Sequence, residues 1–228
     1  MTAEPRPYDL LVFDWDGTLV DSIASIVECT QLAIDEVGAT PVANDAIRRT
    51  IGLGIREMVD ELVPGCDDEL FERVCLAYRD HWFAGLGSAH HPFTGVGGVL
   101  GELAAADYLL SVATAKSRRG LEADLERTGL AGYFQASRTV DEAPGKPHPG
   151  MLEGLMDELG ARPGRTLMIG DTTHDLEMAV NAGTGGLGVL SGSHTRAQLE
   201  QAAPLALLES VRDLPAWLSL RGDGGAGP

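Results

Sequence analysis

The apolar positions of this chain follow two different periods. The run Asp9-Leu-Leu-Val-Phe13 is continuous, as in a buried strand, and it breaks at Asp14-Trp-Asp16-Gly17, where the glycine permits a turn. Ile23, Ile26, Val27, Ala33 and Ile34 then fall at helical spacing between Ser22 and Val37, with Gly38 as the stop. Three more helical stretches follow, Asn44 to Thr50, Ile55 to Leu62 and Asp67 to Phe83, with Asn44 and Asp67 as expected N-caps. No strand pattern interrupts them, so residues 22–91 are predicted to form an all-helical insertion. Val20-Asp21-Ser22 and the stretch from Gly85 to Pro92 are its expected hinges.

From Gly95 onward, apolar strands alternate with amphipathic helices. The predicted helices are Val96 to Ala106, Arg118 to Thr128, His148 to Leu159 and His174 to Ala182, with one more at the end. Between them come the predicted strands Tyr108 to Ala113, Tyr133 to Ser137, Arg165 to Ile169, Gly186 to Leu190 and one from Leu205. Such alternation predicts an α/β fold, a Rossmann-like doubly wound parallel sheet built from residues 1–21 and 92–220. The glycine-rich residues 221–228 are expected to be a disordered tail.

Composition narrows the function. With 228 residues, 44% of them hydrophobic, the chain can bury a core and carry a smaller accessory domain. Three cysteines, Cys29, Cys66 and Cys75, without C-x-x-C spacing indicate neither a disulfide framework nor a zinc cluster. No signal-peptide core or membrane-length apolar run occurs, so a cytoplasmic protein is expected, as a monomer or homodimer. A formal charge of −17 argues against nucleic acid or an anionic membrane as partner. An anionic small substrate would need local positive charge, from a metal, a lysine or helix N-termini. Lysine occurs only as Lys116 and Lys146, and Lys146 stands out in its loop.

The chemistry gathers at strand ends. Asp14 and Asp16, two apart on an extended chain, project from one side and repel unless a cation or hydrogen bonds compensate. Thr114-Ala115-Lys116-Ser117 offers a hydroxyl and free amides before a helix, suited to an anion. Gly170-Asp171-Thr-Thr-His-Asp175 begins another helix with two acids four apart. In Gly145-Lys146-Pro147-His148-Pro149, prolines on both sides of His148 limit the backbone and are expected to hold the lysine at a fixed angle. Each alone has an ordinary explanation as a turn or a helix cap. Together they supply a carboxylate nucleophile, a neighbouring acid, oxygen ligands for a cation and donors for an oxyanion, which is the equipment of phosphoryl transfer. Hard oxygen ligands in this number suit Mg2+.

In the order Asp14-Trp-Asp16-Gly-Thr18, Thr114, Lys146, then Gly170-Asp171 with Asp175, these segments resemble the four motifs of the haloacid-dehalogenase superfamily. Within it the chain is similar to the phosphoglycolate phosphatase group, from Leu11 to about Leu218. The resemblance implies that Asp14 is nucleophile and metal ligand. It implies that Asp16 is general acid/base and lends its backbone carbonyl to the metal, that Asp171 is a further ligand, and that Asp175 acts through a metal-bound water. Thr114, Ala115, Lys146 and the backbone of Trp15 and Asp16 would bind the phosphoryl group. Residues 22–91 match the family's helical cap domain, and Gly52-Leu-Gly54-Ile-Arg56 is similar to its substrate-facing loop.

The implied activity is Mg2+-dependent hydrolysis of a small phosphorylated metabolite, with 2-phosphoglycolate favoured. A sugar-phosphate mutase and a catalytically idle sensor of a phosphorylated metabolite remain the alternatives. Asp16 argues against dehalogenation, and the absence of any lysine before Lys116 argues against a cap Schiff base. His174 is expected to point outward, and His81, His90 and His91 to lie on the surface.

Overall fold

The computed structural model describes residues 6–88 and 90–222. Strand β1 (Leu10–Phe13) is buried at all four positions, because parallel neighbours β2 (Leu109–Ala113) and β4 (Thr166–Gly170) flank it. Beyond β2 lies β3 (Ala136–Arg138), and beyond β4 lie β5 (Gly185–Val189) and β6 (Leu207–Leu208). The sheet order is β3-β2-β1-β4-β5-β6, every pair parallel.

Both faces are covered, which is why the first strand reads as an unbroken apolar run. Leu11 and Phe13 face one cluster, with Leu100 and Leu103 of helix α5 (Val96–Ala105), Leu121 of α6 (Arg118–Thr128) and Leu214 of α10 (Leu214–Gly222). Leu10 and Val12 face the other, with Met151 and Leu155 of α7 (Gly150–Leu159) and Met178 of α8 (Thr173–Asn181). A short α9 (Arg196–Gln201) follows β5. No helix among the described residues is long and apolar enough to cross a membrane.

The predicted insertion is helical throughout its four main elements: α1 (Ile23–Glu36), α2 (Asn44–Thr50), α3 (Ile55–Leu62) and α4 (Asp68–Phe83). It has an apolar cluster of its own, including Ile26, Ile34, Ile47, Val59, Val74 and Trp82. The outgoing and returning chains pair where they leave the sheet. The Asp21 amide donates to His91 O at 2.9 Å, the Phe93 amide to Leu19 O at 3.0 Å, and Val20 bridges Pro92.

Several expectations need correction. Asp67 does cap α4, accepting from the Leu70 amide at 2.9 Å. Asn44 does not cap α2 but opens it, with Ala43 at the cap, because its side-chain oxygen is taken by Gln31 of α1. The strand expected from Tyr133 begins only at Ala136, since Ala131–Tyr133 closes as a helical turn. Arg221 and Gly222 belong to α10 rather than to a tail, and the Arg221 guanidinium stacks 4.5 Å over the Trp217 ring. The rest of the expected tail, 223–228, lies outside the described residues. His90 is buried, not on the surface. The returning chain carries its ring against Trp82, 5.1 Å between centroids, and its Nε2 to 3.2 Å from Asp124.

Candidate active site

Sheet register assembles the site. Phe13 is level with Val112 on one side and Ile169 on the other, so Asp14, Thr114 and Asp171 emerge within a residue of neighbouring strand ends. The Asp14 amide donates to Ile169 O at 2.9 Å and the Thr114 amide to Arg138 O at 3.0 Å, which continues the sheet's pairing one step past the strands. Asp14, Asp171 and Asp175 are buried, and one carboxylate oxygen from each lies within 4.8 Å of the others.

Local backbone makes that convergence possible. Gly17 turns with φ +81°, and a Cβ there would sit 2.5 Å from Asp171 Oδ2; a Cβ on Gly192 would sit 1.9 Å from the same atom. Only glycine lets both loops close on this carboxylate. Asp171 Oδ1 accepts from the Thr18 hydroxyl at 2.9 Å, and Oδ2 accepts from the Ser193 amide at 2.8 Å and its hydroxyl at 3.1 Å. Asp175 does two jobs. Its Oδ2 accepts from the Thr172 amide and hydroxyl, at 3.1 and 2.7 Å, and so caps α8, while its Oδ1 faces Lys146.

The side chain of Lys146 is wholly enclosed, with Nζ 2.5 Å from Asp14 Oδ1 and 2.6 Å from Asp175 Oδ1. Burial opposes its charge, but the two carboxylates outweigh burial and keep the ammonium protonated. Burial pushes Asp14 well above the usual carboxylate range, with Asp175 and Asp171 adding to the rise and Lys146 opposing it. Asp171 is pushed up to about 6, chiefly by burial and then by Asp175. Three buried carboxylates therefore face one ammonium, a deficit of two positive charges among hard oxygen donors. Such a donor set, one oxygen from each of Asp14, Asp171 and Asp175, fits a hard divalent cation.

This fit has a pH signature. Without metal, folded Asp171 holds its proton up to about 6, against the ordinary 3.8, so this group's contribution to stability falls as pH rises between those values. A cation competes with the proton for the same oxygens. Magnesium is therefore expected to raise the unfolding temperature more at about pH 7.5 than at about pH 5. Differential scanning fluorimetry checks this, and an equal or reversed shift would count against a metal seat at Asp171.

A cavity of about 380 Å³ is lined by Asp14, Asp16, Thr114 and Ala115 together with Gly52 and Leu53 of the insertion. Much of the remaining wall is apolar, with Ile55, Met58, Leu76 and Trp82 among its residues. Gly54 instead backs onto the lysine loop, where a Cβ on Gly145 would lie 3.7 Å from the Gly54 amide nitrogen. Arg56 is not brought to the cavity. Asp60 at 3.1 Å and Asp68 at 2.9 Å hold it over the Phe71 ring. The Trp15 side chain packs in the core, and its indole N–H donates to Asp124 Oδ2 at 3.0 Å. His174 turns toward the insertion rather than the carboxylates, with Nε2 3.3 Å from Arg49 O and its ring edge-on to His194.

Sequence reasoning missed a second charged cluster beside the first. Lys116 Nζ lies 3.1 and 3.2 Å from the two oxygens of Asp16 and 3.1 Å from Asp124 Oδ2. Burial opposes its charge as well, and Asp16 and Asp124 prevail. The Ser22 hydroxyl also donates to Asp16, at 2.6 Å. For Asp124, burial pushes upward, but the His90 hydrogen bond and the Lys116 charge hold its carboxyl well below the usual range. One signal for Lys116 was available, since it is one of only two lysines and stands two residues after Thr114. Thr18 closes the first motif, whereas Ser193 and Asp124 carry no comparable signal.

Known proteins resemble this chain along most of its length. A probable phosphatase, IndB, of Dickeya dadantii is 36% identical over 211 residues, covering 90% of this chain and 91% of that protein. A phosphoglycolate phosphatase of Agrobacterium fabrum is 32% identical over 201 residues, covering 84% of each. A solved hydrolase from Pseudomonas syringae superposes with a TM-score of 0.86 at 27% identity, covering 95% of this chain and 99% of that one. The sequence model of one family spans residues 11–189, from β1 through β5 and hence every acid of the site, and by that match the chain belongs to the haloacid dehalogenase-like hydrolases.

Proposed function

We propose that this chain is a Mg2+-dependent phosphatase that hydrolyses a small phosphomonoester through an aspartyl phosphate on Asp14. The observation that carries this reading is Asp14 itself, a buried carboxylate on the cavity wall, 2.5 Å from the Lys146 ammonium, with Asp16 two residues away on the same wall. In the first step an Asp14 oxygen attacks phosphorus and the ester oxygen leaves with a proton from Asp16. In the second, Asp16 takes a proton from the water that attacks phosphorus, which releases phosphate and frees Asp14. The Thr114 hydroxyl and the Trp15 and Ala115 amides bind the equatorial oxygens, and Lys146 offsets their charge. Bound Mg2+, held by Asp14, Asp171 and the Asp16 backbone carbonyl, supplies the positive charge that lets a carboxylate approach a phosphate.

Residues 22–91 act in this reading as a cap domain that closes the cavity, with the Gly52-Leu53 turn as its contact with substrate. The pairing of the two connecting chains supports a hinge there. Of the alternatives, the idle sensor is disfavoured by a site in which every acid needed for turnover is in place. The mutase ranks behind hydrolysis because the Gly52–Arg56 loop brings no basic side chain to the cavity, Arg56 being held by Asp60 and Asp68, although Arg79 of α4 does reach the lining.

The Agrobacterium relative's name makes 2-phosphoglycolate the leading substrate. The apolar wall supports a second reading, an ester whose alcohol has an apolar body, because each CH2 buried there contributes about 0.8 kcal/mol. Phosphate release across 2-phosphoglycolate, benzyl phosphate, a hexose phosphate and a nucleotide, with Mg2+ present, decides between them. EDTA is expected to lower the best rate by about 100-fold or more. No release from any ester would end the phosphatase reading, and a nucleotide or hexose phosphate as best substrate would end both substrate assignments.

A further inference from the structure

We infer that Lys116 is the positioning residue for the acid/base group Asp16, fixing its carboxylate at the cavity between proton transfers and tying that placement to the helical insertion; the inference rests on the phosphatase reading. The ammonium reaches both oxygens of Asp16, at 3.1 and 3.2 Å, which fixes the orientation of the carboxylate as well as its distance. A third contact, 3.1 Å to Asp124 Oδ2, anchors the lysine to α6. The fourth is to the insertion, where Nζ lies 4.6 Å from the centroid of the Trp82 ring on α4.

The partners of Lys116 are themselves held. Asp124 takes the Trp15 indole at 3.0 Å, Arg127 at 3.1 Å and His90 at 3.2 Å. Arg127 also donates to the His90 carbonyl at 2.5 Å, so the returning hinge chain is bound into the same cluster. Asp16 and Lys116 both line the cavity, while Asp124 does not. The lysine thus connects three bodies: the turn after β1 that carries the donor, helix α6, and the insertion's last helix.

Such a device acts on one proton and not on the phosphoryl group, whose lysine is Lys146. Its loss must therefore depend on the leaving group. An alkoxide cannot leave without a proton, whereas 4-nitrophenolate can. The test measures kcat and KM of wild type, Lys116→Met, Lys116→Arg and Asp16→Asn on an alkyl phosphate and on 4-nitrophenyl phosphate. Because both rates come from one preparation, their ratio does not depend on how much of the variant is folded. The alkyl-to-nitrophenyl ratio is expected to fall about 100-fold in Lys116→Met and at least as far in Asp16→Asn, and to recover in part in Lys116→Arg. A Lys116→Met variant that loses both activities in equal proportion, or that changes KM alone, would overturn the inference in favour of substrate binding or packing. Wild type inert toward both esters would overturn the phosphatase reading and the inference with it.

Discussion

Asp14→Asn is expected to lower phosphate release by on the order of 10⁴-fold while leaving the metal-free protein as stable as the parent or more so. The two effects share one cause. Asp14 is forced among Asp171 and Asp175 with one ammonium to serve all three, and burial makes its charge costly. An amide of the same shape removes one of the crowded charges and keeps a polar contact for Lys146, but it is a poor nucleophile toward phosphorus. Activity assays and thermal unfolding in EDTA, done together, check the pair. Retained turnover would disprove the nucleophile assignment. A large fall in unfolding temperature would show that the three carboxylates are not in conflict.

Lys146→Met is expected to do the reverse to stability. The wholly enclosed ammonium contacts Asp14 and Asp175 at 2.5 and 2.6 Å, and its loss leaves the buried acids without an opposite charge among those contacts. Removing one partner of a buried ion pair costs roughly 3–5 kcal/mol, or a fall of roughly 10 °C in unfolding temperature for a domain of this size. The deficit should narrow with added Mg2+, which replaces part of the missing charge, and at lower pH, where the acids can take up protons. A small loss, insensitive to both, would mean that the lysine is only a space-filler. Phosphate release should fall as well, because the same ammonium is assigned to the phosphoryl oxygens and to the orientation of Asp14.

Much of the fold could be read from local patterns because it is governed by local rules. Helix α6 begins and ends where Ser117 caps it and Gly129 turns out of it, as its residue spacing predicts. The acids at the ends of β1 and β4 were legible because strand ends in a parallel sheet are where ligands bind, and the motif order added the lysine loop. What was illegible depends on contacts between distant parts of the chain. Asp16 and Lys116 are 100 positions apart, and Trp15 and Asp124 are 109 apart, so no window of sequence displays either pair. His90 looked like a hinge surface residue because it lies in a stretch rich in Gly, Ser, His and Pro, yet tertiary packing sets it between Trp82 and Asp124. Arg56 had the motif spacing of a substrate contact, and two nearby acids took it instead.

The helices of residues 22–91 pack around their own apolar centre, separate from the two clusters that clothe the sheet. The reaction chamber thus has a floor and a roof that are stabilised independently. Roof side chains other than Trp82 are therefore expected to tolerate re-carving without loosening the acids in the floor. One catalytic platform can in this way be refitted to new alcohols, and the fastening to preserve in any such refitting is the Trp82 ring resting on Lys116.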